Sequence, residues 1–250
     1  MLYRKARSGE RHPRKVGEVA FPARRPATVI PDRFMSGWQL ARRGVRQLWC
    51  GTDFTSLSDG NSLYAEGMKK DRSKKGLLVV DVQNDVVHSA YQRDTVVGHI
   101  ARLVDEARQQ DVPVVWVQHH DDWMKKDTDA WQIVPELQPR AGEPVIQKAF
   151  GDSFAETNLE AELEKLDVGE LILCGAQSDA CITATLYGSL YRGYPVTLVQ
   201  DAHTTKNGEF NGQDYPAERI VNWVNRNAAY TRLPGIGSRL TTAAEAFNEK

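Results

Sequence analysis

From Gly76 onward the chain alternates short, β-branched apolar runs with amphipathic helical stretches, and this alternation limits the fold more than any other feature. The run 77-LLVVDV-82 is apolar on both sides, which suits a strand covered on both faces. After it, 94-DTVVGHIARLVDEARQQ-110 sets Val97, Ile100, Leu103, Val104 and Ala107 at helical spacing behind Asp94, a good capping residue. The alternation continues through 113-PVVWVQ-118, a long loop over 119–144, 145-VIQK-148 and a helix over 156–166. Next come 170-ELILCG-175, a helix over 181–193 and 195-PVTLVQD-201. Elements of this size in this order predict an α/β fold of three layers, a mostly parallel sheet of about six strands with helices on both faces. In such folds the active site lies beyond the carboxyl ends of the strands.

The first 75 residues lack any sustained period, and prolines at positions 13, 22, 26 and 31 interrupt helices. They hold 17 Lys/Arg against 7 Asp/Glu, whereas the rest of the chain holds 15 against 26. The expected organisation is a basic extension over 1–75, unstructured or upstream of a true start near Met68, followed by one folded domain over 76–250. A basic nucleic-acid-binding arm is a rival reading, but no transit helix or aromatic-basic pattern accompanies it. No apolar run is long enough for a bilayer and no signal peptide opens the chain, so a cytoplasmic protein without membrane or nucleic-acid partners is expected. The cysteines (Cys50, Cys174, Cys181) are odd in number and form no CxxC pair, which suits a reducing compartment and one reactive thiol.

Three reactive residues fall where the strand-end rule wants them. Asp81 closes the first strand, Lys148 closes the third, and Cys181 follows the turn 176-AQSDA-180 at the start of a helix. A thiol at a helix N-terminus meets the positive end of the dipole and free backbone N–H groups, which favour thiolate and can hold an oxyanion. An Asp in reach can move the thiol proton, and a Lys nearby favours both anions. Each residue alone has a plainer reading: a turn-capping Asp, a solvated rim Lys, a small core Cys. Cys174, inside 171-LILC-174, reads as core.

Together with their surroundings the three say more. The segments 77-LLVVDVQND-85, 148-KAFGDSF-154 and 174-CGAQSDACITAT-185 resemble the three signature blocks of the isochorismatase-like hydrolase superfamily, which includes nicotinamidases, N-carbamoylsarcosine amidases, biuret hydrolases and streptothricin hydrolases. The resemblance runs from about Gly76 to Phe247, with 234-PGIGSRLTTAAEAF-247 similar to the family's closing strand and helix. It implies Cys181 as nucleophile, Asp81 as general base and Lys148 as electrostatic partner. It also implies a non-proline cis peptide at Ala176–Gln177, with Ala176, Gln177 and Ala180 around the oxyanion, and assembly as a homodimer or homotetramer.

Departures from the family pattern narrow the subtype. A cysteine at the nucleophile position points to C–N hydrolysis through a thioester rather than vinyl ether cleavage. The Asp-x-His pair of metal-dependent nicotinamidases is replaced by 118-QHHDDW-123, in which adjacent His119 and His120 face opposite sides of a strand, so no metal and no cofactor are expected. Val86 and Val87 replace a common aromatic, which makes Trp116, Tyr91, Trp123 and Trp131 candidate pocket walls. Gln83 is placed to orient Asp81, and His119 to bond substrate. The acidic group Asp121, Asp122, Asp127 and Asp129 is a solvated loop face or a lure for a cationic substrate such as a streptothricin-like lactam. The expected partner is thus a small amide, lactam or ureido compound. Rivals are a metal-dependent nicotinamidase, a nucleic-acid-associated protein and a catalytically idle scaffold.

Overall fold

A computed structural model of the chain describes residues 71–248. The reading of residues 1–75 as an extension therefore lies outside the described residues, apart from its last five. Of those, Lys74 and Lys75 already belong to the first strand, β1 (Lys74–Val80). None of the described helices is long and apolar enough to cross a membrane.

The chain runs β1, α1 (Asn84–Val87), α2 (Arg93–Gln109), β2 (Val114–His119), β3 (Val145–Lys148), α3 (Leu159–Lys165), β4 (Val168–Ala176) and α4 (Thr183–Tyr191). It continues through β5 (Val196–Thr204), the hairpin β6 (Gly208–Phe210) and β7 (Gln213–Tyr215), α5 (Ala217–Tyr230), β8 (Arg232–Leu233) and β9 (Ile236–Thr241). The main sheet has seven strands in the order β3-β2-β1-β4-β5-β9-β8. It is parallel except for the short β8–β9 pairing. The mostly parallel sheet expected from the sequence is present, one strand larger.

Strand periodicity splits the core in two. Leu77 and Val79 of β1 point with Trp116, Ile172 and Cys174 toward α2, whose Val97, Ile100, Leu103 and Val104 close that layer. Leu78 and Val80 point the other way with Val115, Ile146, Leu171 and Leu173, beneath Leu159 and Leu163 of α3, Leu186 and Leu190 of α4, and Val224 and Ala228 of α5. Both faces are filled, which is why these strands read as unbroken apolar runs. The apolar face of α4 is largely spent in this core, leaving Tyr191 as its exposed large apolar side chain.

Two local expectations are corrected. Asp94 lies in the first turn of α2 rather than capping it, because the helix starts two residues earlier, with Gln92 at the cap position. The closing strand is β9, but turns follow it instead of a helix. The hairpin and α5 were not anticipated.

Register positions the site. Val80 pairs with Val117 and Gly175, and His119 pairs with Lys148, so the carboxyl ends of β1, β2, β3 and β4 finish side by side. The chain reverses its direction of sheet growth between β1 and β4, the switch point where α/β sheets open a crevice. Gly175 makes the close approach there possible: its φ is +124°, and a Cβ would collide with the Val80 carbonyl. Gly175→Ala should therefore lower unfolding free energy by well over ~1 kcal/mol in denaturant melts. Gly98→Ala, at an open and exposed position within α2, should raise it by about 0.5–1 kcal/mol.

Candidate active site

β1 ends at Val80 and Asp81 turns away from it with a φ of +51°, which aims the carboxylate into the crevice. Lys148 is the last residue of β3, only 1% exposed despite its charge. Its ammonium lies 2.6 Å from Asp81 Oδ2 and 3.1 Å from Cys181 Sγ, and it donates to the Phe150 carbonyl at 3.0 Å. A charge buried this deeply persists only when paired and hydrogen-bonded, and here two reactive groups do the pairing. The Cys181 sulfur and an Asp81 carboxylate oxygen lie within 4.8 Å of one another. Among the described residues, no backbone N–H reaches either Asp81 oxygen, so this residue is not a turn cap.

Cys181 sits inside a π-helical turn, Ser178–Ile182, that leads into α4, rather than at the first residue of the α-helix. The turn follows a cis Ala176–Gln177 peptide bond. The Ile182 and Ala180 N–H groups both donate to the Gln177 carbonyl at 3.1 Å. Ala180 is thus occupied within the turn, whereas the Gln177 N–H has no acceptor among the described residues and Gln177 lines the cavity.

Electrostatics correct the expectation of a resting thiolate. Burial, reinforced by the neighbouring Asp81 charge, pushes the Cys181 thiol up to about 11, and Lys148 offsets only part of this. Burial also raises the Asp81 carboxyl above the usual range against the pull of Lys148. Burial alone would lower Lys148, but the two acids outweigh it and raise its affinity for its proton. The resting site is a neutral thiol beside a basic carboxylate and a fixed cation.

These groups open on a cavity of about 270 Å³ lined by Asp81, Asp85, Val86, His119, Asp121, Trp123, Met124, Gln177, Cys181 and Lys206. The donor atoms of Asp81, His119 and Cys181 lie within 4.8 Å of one another and could meet at one ion, although such an ion would sit beside the Lys148 ammonium.

A model of the isochorismatase domain matches residues 75–226. The chain belongs to the isochorismatase family. Streptothricin hydrolase from Streptomyces noursei is 34% identical over 140 residues, covering 54% of this chain and only 56% of that enzyme. Among solved structures, an isochorismatase from Pseudomonas putida KT2440 superposes with a TM-score of 0.64 at 28% identity, covering 69% of this chain and 91% of that one. N-carbamoylsarcosine amidase from Thermoplasma acidophilum gives 0.55 at 26%, covering 71% and 99%.

Against this family frame the remaining candidates separate. His119 reaches the cavity; its Nε2 pairs with Asp121 Oδ2 at 3.2 Å and its Nδ1 is buried without a partner. Among the described residues, Gln83 makes no hydrogen bond to Asp81. Its buried amide is held by the His119 N–H and donates to the His119 and Trp131 carbonyls at 2.9 and 2.7 Å, tying the end of β2 to the following loop. Trp116 is 1% exposed in the core, its indole N–H bonded to Glu143 at 2.7 Å, so it is no pocket wall. Trp131 lies outside the cavity lining and serves through its backbone carbonyl, which also takes the Gln118 amide. Trp123 supplies the aromatic instead, 96% exposed at the rim, on a loop folded by the Asp121 carboxylate accepting the Trp123 and Met124 N–H groups. Asp85, Met124 and Lys206 were missed; nothing local marks them, because they reach the cavity only through the fold.

The elevated thiol makes a direct prediction. Iodoacetamide labelling of Cys181 in the folded protein should keep accelerating about tenfold per pH unit up to at least about pH 9.5, since the thiolate is the reacting form. Lys148→Met should label more slowly at the same pH. A rate plateau near neutrality would contradict the neutral resting thiol.

Proposed function

We propose that this protein is a cysteine-dependent hydrolase of a C–N bond (amide, lactam or ureido) in a small molecule, acting through a thioester without a cofactor. The observation that carries this reading is one buried ammonium touching both a carboxylate and a thiol at the floor of a cavity. Asp81 takes the Cys181 proton as Sγ bonds to the substrate carbonyl carbon, so the thiol need not ionise beforehand. Lys148 stabilises the negative charge as it moves between carboxylate and sulfur. The Gln177 N–H faces the developing oxyanion. As the C–N bond breaks, Asp81 returns the proton to the departing nitrogen, leaving a thioester. Water then gives its proton to Asp81 and its oxygen to the acyl carbon, and the acid leaves as the proton returns to Sγ. His119 offers an unused buried nitrogen to the substrate, and Trp123 offers a ring face at the rim.

The names of the relatives point the same way, one to streptothricin and one to N-carbamoylsarcosine. The reaction belongs in the reducing cytoplasm, where Cys181 stays a free thiol. The family resemblance favours a homodimer or homotetramer.

The test is release of ammonia or amine from a panel holding nicotinamide, N-carbamoylsarcosine, streptothricin and simple lactams. Cys181→Ala and Asp81→Asn should each cut kcat/KM for the best compound by about 10²–10⁴-fold or more. Turnover surviving in Cys181→Ala, or appearing only after zinc or iron is added, would overturn the proposal.

A further inference from the structure

Among the described residues, the mechanism leaves a buried histidine of the sheet unused. His203 is 1% exposed on β5, where it pairs across the sheet with Gly175, the residue before the cis peptide. Its Nδ1 lies 2.8 Å from the Ser178 hydroxyl and its Nε2 lies 2.9 Å from Asn225 Oδ1 on α5. Ser178 is the first residue of the π-helical turn that carries Cys181, and it too is fully buried.

The direction of each bond follows from the far end of the chain. The Asn225 amide nitrogen donates to the Gln200 carbonyl at 3.0 Å, which fixes Oδ1 as the atom facing His203. An amide oxygen only accepts, so His203 Nε2 must carry hydrogen. In a neutral imidazole Nδ1 is then an acceptor, and the Ser178 hydroxyl must donate to it. Burial lowers the imidazole's affinity for a second proton, which keeps it in this neutral form. Ser178 is held on its other side as well, where its carbonyl accepts both the N–H and the hydroxyl of Thr183, the latter at 2.7 Å. A second pin lies alongside, from the residue just past the end of β5: the Thr205 hydroxyl donates to Asp179 at 2.7 Å.

We propose that His203 is a positioning residue for the nucleophile turn: a neutral imidazole protonated on Nε2 that accepts the Ser178 hydroxyl and so fixes Gln177 and Cys181 against β5 and α5. The proposal rests on Cys181 being the nucleophile. A turn held at both flanks by directional bonds keeps Sγ and the Gln177 N–H at one separation, which a tetrahedral intermediate requires.

Two measurements test it. Long-range ¹H–¹⁵N correlation spectra of the wild type should place the His203 proton on Nε2, and finding it on Nδ1 would overturn the bond order whatever the activity. Steady-state hydrolysis of 4-nitrophenyl acetate should then be followed for Ser178→Ala, His203→Ala and His203→Asn, with thermal melts alongside. Ser178→Ala and His203→Ala should lose about tenfold or more in kcat with KM within about twofold, because a misplaced nucleophile weakens the transition state more than binding. His203→Asn, which keeps an acceptor where Nδ1 stood, should recover most of that loss. Should His203→Ala not fold, Ser178→Ala decides alone. Unchanged kcat in variants that melt lower would reduce the network to plain structural support and sink the proposal. If Cys181→Ala still turns over the ester, the reading of function is what fails, and the tautomer still decides the bond order.

Discussion

The ion pair between Lys148 and Asp81 is the contact on which the rest of the site depends. Removing one partner from a buried pair of this kind typically costs about 3–5 kcal/mol, because the other charge is left stranded. Two hydrophobic residues of the same size would be at least as stable in that position, so the pair is an expensive way to hold a sheet together. Its value is chemical. In the proposed mechanism, a cation fixed at 2.6 Å from a carboxylate and 3.1 Å from a thiol lets negative charge pass from one to the other with little rearrangement. The neutral resting thiol follows from the same burial. Under the proposed mechanism, it leaves activation to the moment when a substrate carbonyl accepts the new bond.

Everything around the pair sets distances. Parallel pairing ends β1, β2, β3 and β4 at one level, so side chains far apart in sequence arrive together. Gly175 lets β4 press against Val80 just before the turn that carries Cys181. Gln83, though it meets no reacting atom, locks the end of β2 to the loop bearing Trp123 through three bonds to backbone. Asp81 and Lys148 are buried, whereas Trp123 at the rim is exposed.

How much of this could be read from the sequence depended on how local each signal was. The strands announced themselves because burial on both faces leaves no polar residue in runs such as 77-LLVV-80. That Asp81, Lys148 and Cys181 meet was legible because each stands at a strand end or just after one, within a recognisable block. Trp116 misled, since a strand residue facing a core and one facing a pocket carry the same period, and only Glu143 across the fold decides between them. Gln83 failed for a related reason: Asp81 turns with positive φ, so counting by twos from it no longer predicts a shared face. The π-helical turn and the thiol's raised pKa depend on burial and on β5, which no window around residue 181 contains. The α5 helix was overlooked although Ala217, Val221, Val224 and Ala228 repeat at helical spacing, because small and polar residues dilute the stripe.

The central claim is that Cys181 carries the acyl half of the substrate during turnover. Rapid acid quenching of the enzyme at work, followed by intact-mass and peptide mapping, tests it most directly. A hydroxylamine-labile acyl adduct on Cys181, forming before product and decaying as the acid appears, is the predicted result. Product accumulating with no adduct at any time, while Cys181→Ala continues to turn over, would contradict it.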